Sequence, residues 1–524
     1  MFWKIGNRVA LVGALFALLS LPGESPAVGQ EIGVETGDRE ISGEIGLEPV
    51  GQEIELSLDR AVEIALERNL DLLVQRYERS QFQLRIDESL GIYDLGLGGS
   101  VQASEETTPA ASELEGADVR TTERRNLNLN VSQLTPFGGT VESTFNLFRQ
   151  EDNSAFFLPI FYSSGWDASV TQPFLRDFGR LATDRGIRIA RLNSAQNLET
   201  FEVEVARTIQ EVETAYWNLV ESRSQLEVAR EGRELAVELH ERNKIRVDVG
   251  TLAPLELIQS EVGIATREEE IILAQAAVED AEDRLRQLLN FEEGPLWNVD
   301  LVPTTEGGIE RMKITLEESL ETALDERPEL ARKDLEVKTL ELDERYYHNQ
   351  ALPRLDLSAT YGYNSLGIEL SNALDDLVRR DFEGWQVQLT FAYPLQNTSA
   401  EARATIAKLD LEQGRAERSR LVQTIRTEVR GAVRDLRTTF QQIESAQASR
   451  RLAEENLEAE RKRYESGLST SFQVLEIQED LTAARSREVA AIASYQRAQA
   501  AYHRAVGRLL EEKSVELIDS PAVR

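Results

Sequence analysis

The sequence predicts a mainly helical fold with transmembrane β-strands, built as two structural repeats of strands plus long coiled-coil helices. Three observations predict it: recurrence of whole blocks, a shift of periodicity between segments, and helical stretches too long for a compact domain. Residues 54–72 (IELSLDRAVEIALERNLDL) and 313–330 (KITLEESLETALDERPEL) share one apolar-polar pattern, with Ala65 matching Ala323. Trp166 to Pro173 is answered by Trp385 to Pro394. Arg246 to Gly250, followed by Leu255, Leu257 and Glu261, is answered by Arg463 to Gly467, Phe472, Val474 and Gln478. Blocks repeated in fixed order mark a pseudo-symmetric architecture. Leu72 and Trp166 are 94 residues apart and Leu330 and Trp385 only 55, so the first copy carries 39 more there.

Taken in order, the chain opens as an export signal over 1–27. Lys4 and Arg8 charge its start, residues 9–21 are apolar, and the small-residue site at Ser25 to Ala27 suits cleavage before Val28. That apolar run falls short of the ~20 residues a spanning helix needs, and no later run approaches it. Residues 28–55 are Gly- and Glu-rich and read as a flexible acidic leader. The first repeat then covers 56–291, a linker 292–312, the second repeat 313–510 and a tail 511–524.

Each repeat opens with a helix and continues into strands, about 95–175 in the first and 355–395 in the second. Leu127, Leu129 and Val131 alternate with Asn126, Asn128, Asn130 and Ser132, and Trp385, Val387, Leu389, Phe391 and Tyr393 with Gln386, Gln388 and Thr390. Period two means strands with one apolar and one polar face. Aromatic residues at the strand ends (Trp166, Phe174, Trp385, Tyr393), with the export signal, favour a transmembrane barrel over a soluble half-buried sheet. The polar segments 108–125, 151–165 and 366–383 read as long loops and 136–139 as a tight turn, giving four crossings in the first copy and two in the second.

Helices follow over 183–249, 254–289, 400–466 and 472–510, broken near Gly250 and Gly467. Val205, Ile209, Val212, Tyr216 and Leu219 recur at three and four residues, a narrow stripe suited to lateral coiled-coil packing. A stretch of this length spans ~100 Å at 1.5 Å per residue, which demands a rod or a tube.

Composition narrows the function. The formal net charge of −34 opposes binding to nucleic acid. With no cysteine, disulfides, thiolate metal sites and a cysteine-borne lipid anchor are excluded, so membrane attachment falls to the fold itself. His240, His348 and His503 stand apart on helices, no Gly-rich phosphate loop precedes a helix, and no carboxylate pair is set in a cleft. No enzyme, cofactor or metal is therefore expected.

The ordered set of repeat openings, the segment from Ala215 to Leu219, Gln172 with Pro173, Tyr393 with Pro394, and the motif from Arg463 to Gly467 resembles the TolC-type outer-membrane efflux proteins, from about Leu56 to Leu510. The resemblance implies a homotrimer whose chains jointly close one β-barrel in the Gram-negative outer membrane, continued by a periplasmic α-helical barrel. It implies a channel-tunnel for export, most simply of small molecules, served by a periplasmic adaptor and an inner-membrane pump. The exit duct of an ATP-driven type I protein secretion system is the alternative within the family. A secreted coiled-coil structural protein, from a different class, leaves the alternating strands unexplained.

Carried over position by position, the resemblance assigns a periplasmic gate to Glu256, Gln259, Gln473 and Glu476, and an adaptor-docking tip to Gly250, Thr251, Leu252, Gly467, Leu468 and Ser469. Gln473 is neutral where the family has a carboxylate, and Ser469 stands where a gate arginine occurs in the best-known member. Pro173 and Pro394 fall at the strand-to-helix joints, where a residue lacking an N–H suits the end of strand pairing. Six strands against the family's four leave two arrangements open: a wider barrel, or one hairpin outside the membrane.

Overall fold

The computed structural model describes residues 30–34, 53–109, 118–153, 158–291 and 295–521. The export signal assigned to 1–27 lies outside the described residues.

Both repeats begin with the same local device. The Ser57 hydroxyl accepts from the Arg60 N–H to start α1 (Leu58–Arg68), and the Thr315 hydroxyl accepts from the Glu318 N–H to start α5 (Leu316–Glu326). Each helix then breaks and resumes. Asn69 ends α1 and its side chain accepts from the Asp71 and Leu72 N–H groups at the start of α2 (Leu70–Leu90). Pro328, whose missing N–H costs nothing at a first helical position, starts α6 (Pro328–Gln350). The equivalent Ala65 and Ala323 are both buried, their small side chains facing the long helices.

Those long helices are α3 (Arg185–Asp248), α4 (Pro254–Leu289), α8 (Thr398–Glu465) and α9 (Ser471–Val506). Helix α3 packs on α4, α8 on α9, and α3 on α9. The core is not spread evenly along this rod. One cluster gathers Phe201, Tyr216, Trp217, Leu219, Leu285 and Leu289 with Ile54 and Leu56; a second gathers Ile425, Val429, Val433 and Tyr495 with Ala323 and Leu330. A smaller one, with Leu239, Leu457, Tyr464 and Val474, lies towards the helical tip.

Among the described residues, parts of the segments outside the repeats are paired strand, which the sequence does not suggest. The leader ends in β2 (Glu53–Leu56), paired in parallel with β7 (Asp300–Pro303) from the expected linker. The reason is burial: Ile54 and Leu56 point into the core while Glu53 and Glu55 are exposed. The Tyr216 hydroxyl locks the pair, donating to the Leu56 carbonyl (3.0 Å) and accepting from the Thr305 N–H (2.9 Å). Further out, β1 (Gln30–Val34) runs antiparallel to β10 (Leu517–Pro521) of the expected tail. "Flexible leader" is thus corrected for residues 30–34 and 53–55.

Among the described residues the remaining strands form one antiparallel sheet, β3 (Gly96–Pro109), β4 (Val119–Leu134), β5 (Thr140–Asp152), β6 (Ile160–Pro173), β8 (Arg354–Gly367) and β9 (Glu383–Ala392), in that spatial order. The extra hairpin of the first repeat is part of this sheet. Strands β3, β4, β5 and β6 reach further than expected, so residues 108–109, 119–125, 151–152 and 160–165 are paired strand rather than loop. Long strands can extend above their apolar rows because side-chain pairs such as Arg120 with Asp152 (2.7 Å) hold the polar ends together. The tight turn from β4 to β5 needs Gly138, whose φ of +84° and approach to the Asp177 carbonyl exclude a Cβ. The expected loop at 366–383 contains a helix, α7 (Leu370–Arg379).

Candidate functional site

Register in the sheet sorts its side chains into two walls. One row across the strands reads Gly99, Leu129, Phe145, Trp166 and Tyr363 and ends at Glu383 on the edge strand; the next reads Leu97, Val131, Ser143, Ala168, Tyr361 and Trp385. Trp166 stacks on Tyr363 at 6.2 Å between centroids and donates its indole N–H to the Ser143 hydroxyl (3.0 Å). The opposite wall carries Ser100, Asn128, Asn146, Gly165 and Asn364 in one row, and Asn130, Thr144, Asp167 and Gly362 in the next. Apolar and aromatic on one side, amide, hydroxyl and carboxylate on the other: the sheet is made to separate hydrocarbon from water.

Pro173 is the last residue of β6 and is buried, while Pro394 follows the end of β9 and is exposed. Beyond Pro173 the Phe174 N–H donates to the Leu355 carbonyl (2.8 Å), so the exit from the sheet is pinned to β8. Beyond Pro394, Asn397 takes a left-handed conformation and donates its side-chain N–H to the Ala351 carbonyl (2.9 Å), turning the chain into α8.

At the other end of the helices, Gly250 and Gly467 adopt φ values of +75° and +73°, ending α3 and α8 in equivalent turns. Thr251 and Leu468 are exposed; Leu252 and Ser469 are half-buried. The four gate candidates do not form one set. Glu256, on the first turn of α4, accepts from both the backbone N–H (3.2 Å) and the hydroxyl of Ser471 at the start of α9. Gln473 completes a reciprocal cap with Thr470 and also meets the Ser469 hydroxyl at 2.9 Å. Gln259 is half-buried, and Glu476 is exposed.

What ties the two hairpins together was not legible in the sequence. The Tyr464 hydroxyl donates to the Asn243 side chain, which is wholly buried, and Arg246 lies over the Tyr464 ring at 4.8 Å while donating to the Tyr464 carbonyl (3.2 Å). Burial pushes the Tyr464 phenol above its ordinary range, against the pull of Arg246, and keeps it a donor. The buried Glu460 pairs with Arg463 (2.8 Å) and accepts from Ser469. Tyr464 falls in a repeated motif, but an asparagine at a helix-packing position carries no signal until its partner is known.

The sequence matches the outer membrane efflux protein family over residues 163–290 and 319–508. The chain belongs to the outer membrane efflux protein family. The match takes in the lumen-and-lipid sheet from within β6, most of both long hairpins and the tip. No curated protein matches the chain significantly. Among solved structures, the outer-membrane channel OprN is similar at 18% identity and a TM-score of 0.66, over 86% of this chain and 89% of that one. The CmeC outer membrane channel of Campylobacter jejuni is similar at 18% identity and 0.64, over 87% and 89%. The outer membrane protein VceC of Vibrio cholerae is similar at 15% and 0.63, over 86% and 96%. At such identities these likenesses speak for the fold. As an outer membrane efflux protein the chain is an export channel of the Gram-negative outer membrane, its helices extending into the periplasm.

Proposed function

We propose that three copies of the chain close one barrel, β9 of each against β3 of the next, and that the joined helices form a periplasmic tunnel. The observation that carries this is the pair of open edges. Among the described residues β3 and β9 are unpaired on their outer sides, although the sheet they bound has a hydrocarbon-facing wall. Open edges are not tolerated in lipid, where each unpaired backbone group costs several kcal/mol. With six strands from each of three copies the barrel has eighteen, a size that leaves an aqueous channel. Exposed Leu255, Ile258 and Val262 on α4, at helical spacing, supply further surface for contact between copies.

In this reading a periplasmic adaptor docks on Gly250, Thr251, Leu252, Gly467, Leu468 and Ser469, and an inner-membrane pump delivers small molecules. Exposure of Leu468 and Thr251 at the extreme of the rod supports the docking assignment. Small molecules are preferred to secreted proteins because that partnership is the commoner one for such ducts. The gate reading narrows to Glu476 as the residue free to face the pore, with Glu256, Gln259 and Gln473 acting through the packing of the tip.

The test is a photo-crosslinker at Leu468 in cells, with the captured protein identified by mass spectrometry. Capture of a periplasmic adaptor supports the docking tip and identifies the pump class through the adaptor's own partner. Capture of further copies of the chain alone removes the docking site from Leu468, and no capture at all favours the structural coiled-coil alternative.

A further inference from the structure

Helix α7 follows β8 at the end of the sheet furthest from the helical rod, and it does not project into solvent or across the pore. It folds back onto the apolar wall. The hydroxyls of Ser164 and Ser365, 2.8 Å from one another, both lie within hydrogen-bond reach of the Ala373 carbonyl, at 2.9 and 2.6 Å. Ser164 shares its wall with Trp166, and Ser365 with Tyr363 and Gly367. A Cβ on Gly367 would stand 2.8 Å from the Ala373 nitrogen, so the glycine is what lets the helix seat. Ala373 is completely buried, and Arg380 at the end of the helix reaches back over the Tyr363 ring at 5.5 Å.

The seat has a defined height. In register with Ser164 and Ser365 are Leu127 and Leu147, the last apolar pair on the wall. Two residues towards the rod comes the aromatic row of Trp166 and Tyr363. Two residues the other way stand Arg125 and Arg149 beside Tyr162, and then Glu123 and Glu151 beside Ile160, the charges joined by ion pairs such as Arg149 with Glu151 at 2.5 Å. The helix therefore sits where hydrocarbon-facing residues give way to charge.

Its composition suits that height. Leu370, Leu374 and Val378 follow at four-residue spacing along one stripe and are 41%, 36% and 61% exposed, with Ile368 and Phe382 exposed beside the two ends. Ser371, Asp375 and Arg379 occupy other faces. Among the described residues the helix packs chiefly on β8 and β6. The exposed stripe stands on the same side of the sheet as the apolar wall on which the helix is seated.

We infer that α7 is an interfacial lipid-binding helix, which inserts Leu370, Leu374 and Val378 among the acyl chains of the outer leaflet just below its headgroups. It extends the lipid-facing wall over the polar notch of Ser164 and Ser365, and anchors the barrel at a fixed depth. The inference rests on the assignment of the apolar wall to lipid, so its test carries controls on the sheet.

The chain has no cysteine, which makes single-cysteine labelling direct. Full-length Val378→Cys, Val387→Cys (apolar wall) and Gln388→Cys (polar wall) are labelled with a small environment-sensitive fluorophore. Each is reconstituted in phosphatidylcholine vesicles carrying a nitroxide either near the headgroup or near the end of the acyl chain. The expected result is that the shallow nitroxide removes about half or more of the emission at 378 and the deep one much less, the roughly 5–10 Å depth of an interfacial helix. Position 387 is quenched through lipid, and 388 through aqueous iodide alone. Quenching of 378 by iodide but not by lipid overturns the inference in favour of a solvent-exposed flap. Protection of 378 from both overturns it in favour of burial against protein. Iodide quenching at 387 with lipid quenching at 388 overturns the facing of the sheet, and the inference with it.

Discussion

Tyr464 of α8 donates its phenolic hydrogen to Asn243 of α3, a bond between two helices from different repeats made near the helical tip. Asn243 is wholly buried there, so its amide has no water to fall back on. Tyr464→Phe leaves a buried acceptor unpaired and is expected to cost about 1–3 kcal/mol. The loss is read as a lower thermal midpoint of the detergent-solubilised protein, and as more frequent opening in planar bilayers if this contact holds the tip closed. Normal opening with a lowered midpoint would leave Tyr464 a packing residue only.

Glu476 and Glu256 are expected to behave differently although both lie near the same tip. Glu476 is exposed, and Glu476→Ala should alter cation preference or block in single-channel recordings with little change in stability. Glu256 is engaged by Ser471, so Ser471→Ala should loosen the start of α9 and raise basal conductance without changing ion preference. Equal selectivity changes in the two variants would contradict this division.

Val387 lies in the middle of the apolar rows that run along β8 and β9 from Tyr363 to Phe391. Val387→Arg places a cation near mid-membrane and should cost about 2–4 kcal/mol, seen as loss of assembled protein from the outer-membrane fraction. Gln388→Arg, one residue on, should assemble normally and shift selectivity towards anions. Normal insertion of Val387→Arg would reverse the facing of the sheet.

Glu202 on α3 provides a pH dependence whose sign can be worked out. Burial, and then the charges of Glu199, Glu329 and Glu326, push its carboxyl up to about 6 from the usual 4.5. The folded chain therefore holds this proton more tightly than the unfolded one. The associated stability is fully present below about 4.5 and lost as pH rises through about 6. Glu202→Gln should raise the thermal midpoint near neutral pH and flatten its dependence across that window. With the side chain partly solvated, the gain is at most about 1 kcal/mol. A variant with an unchanged pH profile would exclude Glu202 as its source.

Several features were written locally enough to be read without coordinates. The alternation around Leu129 and Asn128 depends on neighbours two residues apart, and the two faces it implies are those observed. The breaks at Gly250 and Gly467, and the lengths of the helices they join, follow from periodicity and from the left-handed conformation glycine accepts. Recurrence of these blocks in order was enough to indicate the family.

Contacts between distant segments were decided elsewhere. Strand β2 is too short to stand out, and it exists because Asp300 to Pro303, some 250 residues away in sequence, lie beside it under the Tyr216 hydroxyl. Helix α7 was read as a loop because it is a short run among polar residues, although its leucines do repeat at helical spacing; the serines and glycine that seat it lie on two strands. Resemblance placed Glu256 at the gate by position, whereas the hydrogen bonds it accepts from Ser471 depend on how the two hairpins meet. Local period was enough to sort the strand residues into an apolar and a polar face and to locate the helix turns. Tertiary structure alone decided which polar groups are already engaged, because a hydrogen bond between remote segments has no local signature.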